Sequence, residues 1–321
     1  MISTTMKVNA KQRILITGGT GFFGKTLLAE WKEKPRPQSE VLILSRDSRG
    51  FLAHNPEFQY LPGISFIEGD VRNFSFPAGE FTSVIHVATP ATTQIENTEM
   101  ASIILDGTRH ILEFCKSREV QKLLYISSGA VYGAMPPEME RMHESLHCKP
   151  VSCYGQSKLA AEKLCLESGI ACAIARCFAF VGEYLPLDRH FAIGNFIRNC
   201  LQNRPIVIQG DGSALRSYLY GKDLVEALWA LLECKKPAAI VNIGSDQAIS
   251  IRELAEVVRQ CAKSEEEIVL HNAPDAQDSS KAYIPDVTLA RQLLKLREPT
   301  PLREAVRRVL EFHRGRGNCK L

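Results

Sequence analysis

Short apolar runs recur along the first half of the chain: Ile14–Ile16, VLIL at 41–44, Ile64–Ile67, SVIHVAT at 83–89 and KLLYIS at 122–127. VLIL does not alternate as a half-exposed strand would, so it suits a strand buried on both faces, as in a parallel sheet. Between the runs, apolar positions repeat with the helical period. Phe23, Leu27, Leu28 and Trp31 share one face before Pro35 and Pro37 stop the pattern. Ile103, Ile104, Ile111, Leu112 and Phe114 do the same from about Glu99 to Ser117. A polar loop with Pro136, Pro137 and Pro150 leads into a further helix, SCYGQSKLAAEKLCLES. The back third alternates helices at Ala192–Asn203, Leu224–Glu233 and Ile251–Cys261 with strands at Ile206–Ile208 and Ile240–Ile243.

The first run ends in TGGTGFFG, with a helical pattern directly behind it. Strand, glycine turn and helix in that order let backbone N–H groups approach a pyrophosphate, whose charge the positive end of the helix favours. Gly18, Thr20, Gly21, Phe22, Phe23 and Gly24 are therefore candidate contacts to a dinucleotide. The second run ends in Ser45 and Arg46, where an NAD site usually has an acid for the ribose hydroxyls. An acid would repel a 2′-phosphate and an arginine would hold one, so these residues favour NADP over NAD; Asp47 is the acid that would restore NAD. Asp70 and Val71 follow the third strand, where a carboxylate meets the adenine amino group, and Ala88 ends the fourth among small residues that let a cofactor lie on backbone. His86 within that strand reads as a packed residue. The whole pattern predicts an α/β chain with a doubly wound parallel sheet, Rossmann-like. Residues 1–178 form the dinucleotide-binding domain, and 179–321 form a smaller C-terminal substrate lobe that returns some chain to the sheet.

Composition narrows the partners. The chain has 321 residues, 45% hydrophobic and 23% charged, with a net charge of +3 from interspersed acids and bases. That is an ordinary globular balance with no surface for nucleic acid; the basic tail His313–Lys320 reads as a frayed end. No apolar run approaches the roughly 18 residues of a membrane span, IACAIARCFAFVG being broken by Arg176. Ten cysteines with no CxxC pair point to reduced thiols and a cytoplasmic protein. His143, His147, Cys148 and Cys153 lie close together without paired-ligand spacing, so no metal is expected.

Tyr154 and Lys158 are one helical turn apart and share a face. An ammonium beside a phenol favours the phenolate and lowers a pKa ordinarily about 10, so the tyrosine can exchange a proton with a hydroxyl or carbonyl while a hydride moves. With the glycine turn on the first strand and hydroxyl residues ending the fifth, the chain resembles the extended short-chain dehydrogenase/reductase family, in its nucleotide-sugar epimerase, dehydratase and reductase group. TGGTGFFG, GDVR, SSGAVYG, YGQSK, ARCFAFVG, GDGSALRSYLYGKDLVEAL and YIPDVTLARQLL match in order along nearly the whole chain. The resemblance implies that Ser128 bonds the reacting sugar oxygen, that Tyr154 is the acid/base, and that Lys158 holds the nicotinamide ribose and tunes Tyr154. It implies that Arg216 faces the diphosphate of a nucleotide-diphosphate sugar, where a planar guanidinium suits paired oxygens. Glu183, His190 and Asn195, in the segment after Gly182, are candidates to read the sugar and nucleotide. Asp223 reads as the cap of a helix starting at Leu224. A homodimer through the two long central helices is a further implication.

Three departures shift the expected chemistry. Where the sugar-nucleotide 4,6-dehydratases carry an Asp and a Glu, this chain has Gly129 and Ala130, so the usual acid and base of dehydration are missing. Ala179 replaces the asparagine of the RxxNxxG segment, and Ile104 stands where many relatives have an asparagine. The expectation is an NAD(P)-dependent 4-ketosugar reductase or 4-epimerase. A 4,6-dehydratase with a non-standard acid/base pair drawn from Glu183, Cys148 or Cys153 is the alternative. A non-catalytic dinucleotide sensor is the alternative from another class, against which the joint presence of Ser128, Tyr154 and Lys158 speaks.

Overall fold

The computed structural model describes residues 12–90, 95–136, 138–189, 191–236, 239–271 and 282–316. The apolar runs form β1 (Gln12–Thr17), β2 (Ser39–Ser45), β3 (Ile64–Glu68), β4 (Ser83–His86), β5 (Lys122–Ser128) and β6 (Cys172–Cys177). Behind them come β7 (Phe180–Val181), β8 (Ile206–Gln209), β9 (Leu215–Arg216), β10 (Leu219–Tyr220), β11 (Ile240–Ile243), β12 (Ile249–Ser250), β13 (Ile268–His271) and β14 (Ala282–Tyr283). One sheet takes them in the order β3-β2-β1-β4-β5-β6-β11, every pairing parallel. Parallel neighbours cannot be joined by a hairpin, so the chain crosses over the sheet faces between them. β1 and β4 are neighbours although not consecutive, and the winding reverses between them. That reversal opens a crevice at their carboxyl ends.

The helices are α1 (Phe22–Glu33), α2 (Ser48–His54), α3 (Asn97–Ser117), α4 (Cys153–Glu167), α5 (Ala192–Leu201), α6 (Gly221–Glu233), α7 (Ile251–Ala262), α8 (Thr288–Leu294) and α9 (Leu302–Gly315). Side chains of a strand alternate between faces, and both faces here are apolar. Ile14, Ile16 and Ile43 pack with Leu27 and Trp31 of α1 and Leu228 of α6. Leu15, Leu42 and Leu44 pack on the other face with Ile104 and Ile111 of α3 and Ala161 of α4. Ile104 is 1% exposed, so the residue that departs from the family pattern serves as core. A separate cluster joins Ile197 of α5, Val258 of α7, Val309 of α9 and Ile206 of β8.

One expected element differs. α6 starts at Gly221, and Asp223 lies in its first turn rather than at its cap. The Asp223 carboxylate accepts from the Thr300 N–H at 2.7 Å and from its hydroxyl at 3.2 Å, tying α6 to the segment before α9. A long-range pair of donors outcompetes the local cap. Among the described residues no helix is long and apolar enough to cross a membrane.

Candidate active site

The glycine turn sits in the crevice. Gly18 has φ +69°, and a methyl group built on it would lie 2.8 Å from the Ala88 nitrogen, so the turn rests directly on the end of β4. A methyl on Gly19 would press into Ile43, and one on Gly24 would overlap the backbone of Gly19, which is how α1 comes so close to the turn. Gly21 is different. A methyl there would meet its nearest atom, the Gly18 carbonyl oxygen, only at 3.5 Å. Gly21 is also the extended N-cap of α1, with no side-chain cap and no acid in the first turn. The open side of Gly21 and the first N–H groups of α1 thus form a cradle that fits a diphosphate. Thr20 is half-buried in the turn. Phe22 and Phe23 pack on each other at 5.5 Å and against Phe180, so their backbone, not their rings, is what a phosphate would meet.

At the far end of the crevice Ser45 is buried and its hydroxyl accepts from the Asp47 N–H at 3.2 Å. Asp47 caps α2, accepting from Gly50 at 2.7 Å, so it is engaged locally. Arg46 is exposed, and among the described residues it makes no ion pair. Asp70 pairs with Arg72 at 2.8 Å, and that guanidinium, which also reaches Glu99 at 3.0 Å, holds the Asp70 carboxyl below the usual range. Val71 beside it is 8% exposed. His86 is packed as expected, in a chain that fixes Ala88. The Ala88 N–H donates to the Thr17 hydroxyl at 3.1 Å, Thr17 meets His86 Nδ1 at 2.7 Å, and Nε2 meets Thr108 at 3.2 Å. The Thr108 hydroxyl donates to the Ile104 carbonyl, leaving it to accept from His86. Burial pushes the imidazole down to about 3, so it stays neutral.

Ser128 ends β5, and its hydroxyl accepts from the Ala130 N–H at 3.2 Å. α4, capped by Ser152, brings Tyr154 and Lys158 against it. The buried Lys158 ammonium donates to Thr89 Oγ1 and to the Ile126 carbonyl, both at 2.7 Å. Thr89 follows Ala88, which touches Gly18, so the lysine is tied to the glycine turn. Burial pushes Lys158 down to about 8. Its nitrogen lies 5.9 Å from the centre of the Tyr154 ring. The expected lowering of Tyr154 is absent: burial pushes the phenol up to about 12, opposed by a hydrogen bond with Ser128. The lysine spends two of its three N–H groups on Thr89 and Ile126 rather than on the phenol. Under the site, Arg176 of β6 forms a buried pair with Glu162 of α4 at 2.7 Å, and the Ser127 hydroxyl also donates to Glu162.

Arg216 lies on β9, and β14 pairs with it so that Tyr283 is its partner across the ladder. The Tyr283 ring stacks obliquely on Phe178 at 4.7 Å. A methyl built on Gly129 would overlap the Tyr283 hydroxyl and lie 2.9 Å from the Phe178 ring. Sequence reasoning missed this tyrosine; its one signal was a place inside YIPDVTLARQLL. Other candidates are engaged elsewhere. The Glu183 carboxylate accepts from the Tyr220 hydroxyl. The Asn195 amide donates to the Arg189 carbonyl at 2.9 Å. Cys148 turns to the Leu146 carbonyl and Cys153 to that of Asn97. His190 lies outside the described residues.

The profile of the family described as "NAD dependent epimerase/dehydratase family" matches residues 14–244. UDP-glucuronic acid decarboxylase 6 of Arabidopsis thaliana is 30% identical over 92% of this chain and 88% of that protein. The UDP-glucuronic acid 4-epimerase of Bacillus cereus, solved in complex with NAD, superposes with a TM-score of 0.82 at 22% identity, over 95% of this chain and 99% of that one. MoeE5, solved in complex with UDP-glucuronic acid and NAD, superposes with a TM-score of 0.79 at 25% identity and the same coverage of 95% and 99%.

Proposed function

Because the chain belongs to the NAD dependent epimerase/dehydratase family, we propose that it acts at carbon 4 of a UDP-activated sugar, as a 4-ketosugar reductase or 4-epimerase. The observation that carries the reading is the convergence of Ser128, Tyr154 and Lys158 beside a glycine cradle that fits a diphosphate. Bound in that crevice, a nicotinamide dinucleotide supplies the hydride acceptor or donor. Gly21 and the start of α1 hold its diphosphate, and the remaining N–H of Lys158 meets a ribose hydroxyl. Tyr154 exchanges the proton of the carbon 4 oxygen, and Ser128 orients that oxygen between its own hydroxyl and the phenol. Arg216 holds the UDP diphosphate.

Dehydration is the weaker reading. Gly129 and Ala130 offer no acid, and the replacements considered, Glu183, Cys148 and Cys153, are each bonded elsewhere. For the cofactor we propose NADP over NAD. Support comes from an exposed Arg46 that makes no ion pair among the described residues, and from an Asp47 committed to its helix. The free thiols, several of them buried, support a cytoplasmic setting. A homodimer through α3 and α4 is proposed on the family resemblance.

The test is product analysis by NMR after incubation with UDP-glucose, UDP-glucuronic acid and their 4-keto forms, each with NAD and NADP. An epimer without net cofactor use marks an epimerase, and consumption of NADPH marks a reductase. Tyr154→Phe should abolish turnover and leave dinucleotide affinity within about 2-fold; unchanged turnover would sink the catalytic assignment and favour a sensor.

A further inference from the structure

The Lys158 ammonium is buried where the nearby carboxylate is already taken. Glu162, one turn further along α4, pairs with Arg176 at 2.7 Å, and the two groups that accept from the ammonium, Thr89 Oγ1 and the Ile126 carbonyl, are neutral. A buried charge held only by neutral oxygens is costly. An aromatic ring that the proposed chemistry does not use faces it as well: Tyr125 of β5, 1% exposed, with its ring centre 5.0 Å from Nζ. We propose that Tyr125 is a positioning residue whose ring face holds the Lys158 ammonium in its charged form, at its place beside Thr89, where it meets the ribose of the dinucleotide. This rests on the reading above only in giving Lys158 the ribose.

The strand puts the ring there. Side chains of β5 alternate between faces, so Leu123, Tyr125 and Ser127 share the face that α4 covers, and Tyr125 is the one aromatic residue of the strand. Its ladder partner on β4 is His86, whose ring lies 5.6 Å away and is itself held by Thr17 and Thr108. The chain that seats Ala88 against the glycine turn therefore also seats the ring beside the lysine. A ring quadrupole attracts a cation without consuming an N–H, so the third N–H of Lys158 stays open for the ribose. Burial pushes the Tyr125 phenol well up, which keeps the ring neutral. The other titratable groups facing the ammonium supply no full negative charge. His86 is neutral, Tyr154 and Cys177 of β6 are pushed up by burial, and Cys165 of α4 is pushed up by its hydrogen bond with Cys172.

A ring that only fills space predicts losses that ignore pH. NAD affinity is read by calorimetry at pH 6, 7 and 8 on the full chain for wild type, Tyr125→Leu, Tyr125→Met, Tyr125→Phe and Lys158→Met. Removing the ring should lower the pH at which the lysine loses its charge by about one unit, the scale of a desolvated cation–π contact. Relative to wild type, Tyr125→Leu and Tyr125→Met should then lose about 5-fold more affinity at pH 8 than at pH 6, and Tyr125→Phe should track wild type throughout. Urea unfolding reads the same group without cofactor. The stability of each protein minus that of its Lys158→Met partner should begin to climb near pH 7 with leucine at 125, and near pH 8 with tyrosine or phenylalanine. Equal losses at all three pH values with a climb still starting near pH 8 would overturn the proposal, as would a Tyr125→Phe that behaves like Tyr125→Leu. If Lys158→Met binds NAD as tightly as wild type at pH 6, the ribose reading fails and the cofactor half of this proposal with it; the unfolding series still decides the hold on the ammonium.

Discussion

Lys158 makes stability depend on pH in a direction that can be worked out. Its side chain is buried, with 2% of the residue exposed, and burial lowers its pKa from 10.5 to about 8. In the unfolded chain it titrates near 10.5, so between about pH 8 and 10.5 the unfolded state binds more protons and stability rises with pH. Below about pH 8 both states are protonated, and the folded state bears the full cost of burying the ammonium. At about 1.4 kcal/mol per pH unit that cost is about 3 kcal/mol. Lys158→Met removes the titration. Urea unfolding of both proteins at pH 7, 8, 9 and 9.5 should show the stability of wild type minus that of the variant flat up to about pH 8, then climbing by about 2 kcal/mol by pH 9.5. A dinucleotide whose ribose accepts the third N–H favours the charged amine, so saturating cofactor should move the climb to higher pH. A difference that stays flat over the whole range, or falls, would refute a buried, charged Lys158.

Glu162→Gln leaves the Arg176 guanidinium buried without its counter-charge, which costs about 3 to 5 kcal/mol. At roughly 2 °C per kcal/mol, Tm should drop by roughly 6 to 10 °C; the pair Glu162→Met with Arg176→Met should recover most of it, and a single variant within about 2 °C of wild type would contradict the pairing. Arg46→Ala should weaken NADP roughly 10- to 100-fold, the range of a charge-assisted hydrogen bond, and NAD by less than about 2-fold. Equal losses, read by calorimetry, would remove the 2′-phosphate role.

The sheet was legible because buried parallel strands are short unbroken apolar runs, and VLIL at 41–44 or SVIH at 83–86 look like little else. The glycine turn and the Tyr154–Lys158 pair were legible because each is local: one turn of chain, one turn of helix. What depends on distant neighbours was not. Arg176 breaks an apolar run and looked like an interruption, yet it is buried inside β6 because Glu162, fourteen residues earlier on α4, neutralises it. Asp223 has the look of a helix cap until Thr300 is brought beside it. The pKa of Tyr154 departs from its sequence expectation for the same reason. Spacing places an ammonium near the phenol, but not that Thr89 and Ile126 claim it and that burial opposes it. Nothing in the sequence links residues 129 and 283.

The pKa of Tyr154 also bears on which direction the site serves. A phenol pushed up to about 12 is protonated at neutral pH and is ready to give a proton to a ketone oxygen as hydride arrives at carbon 4. Taking a proton from an alcohol requires the phenolate, which a positive charge brought beside the phenol would favour. Within the proposed function, a protonated phenol suits the half-reaction in which hydride and proton are added to a 4-ketosugar, a step that a reductase and a 4-epimerase share.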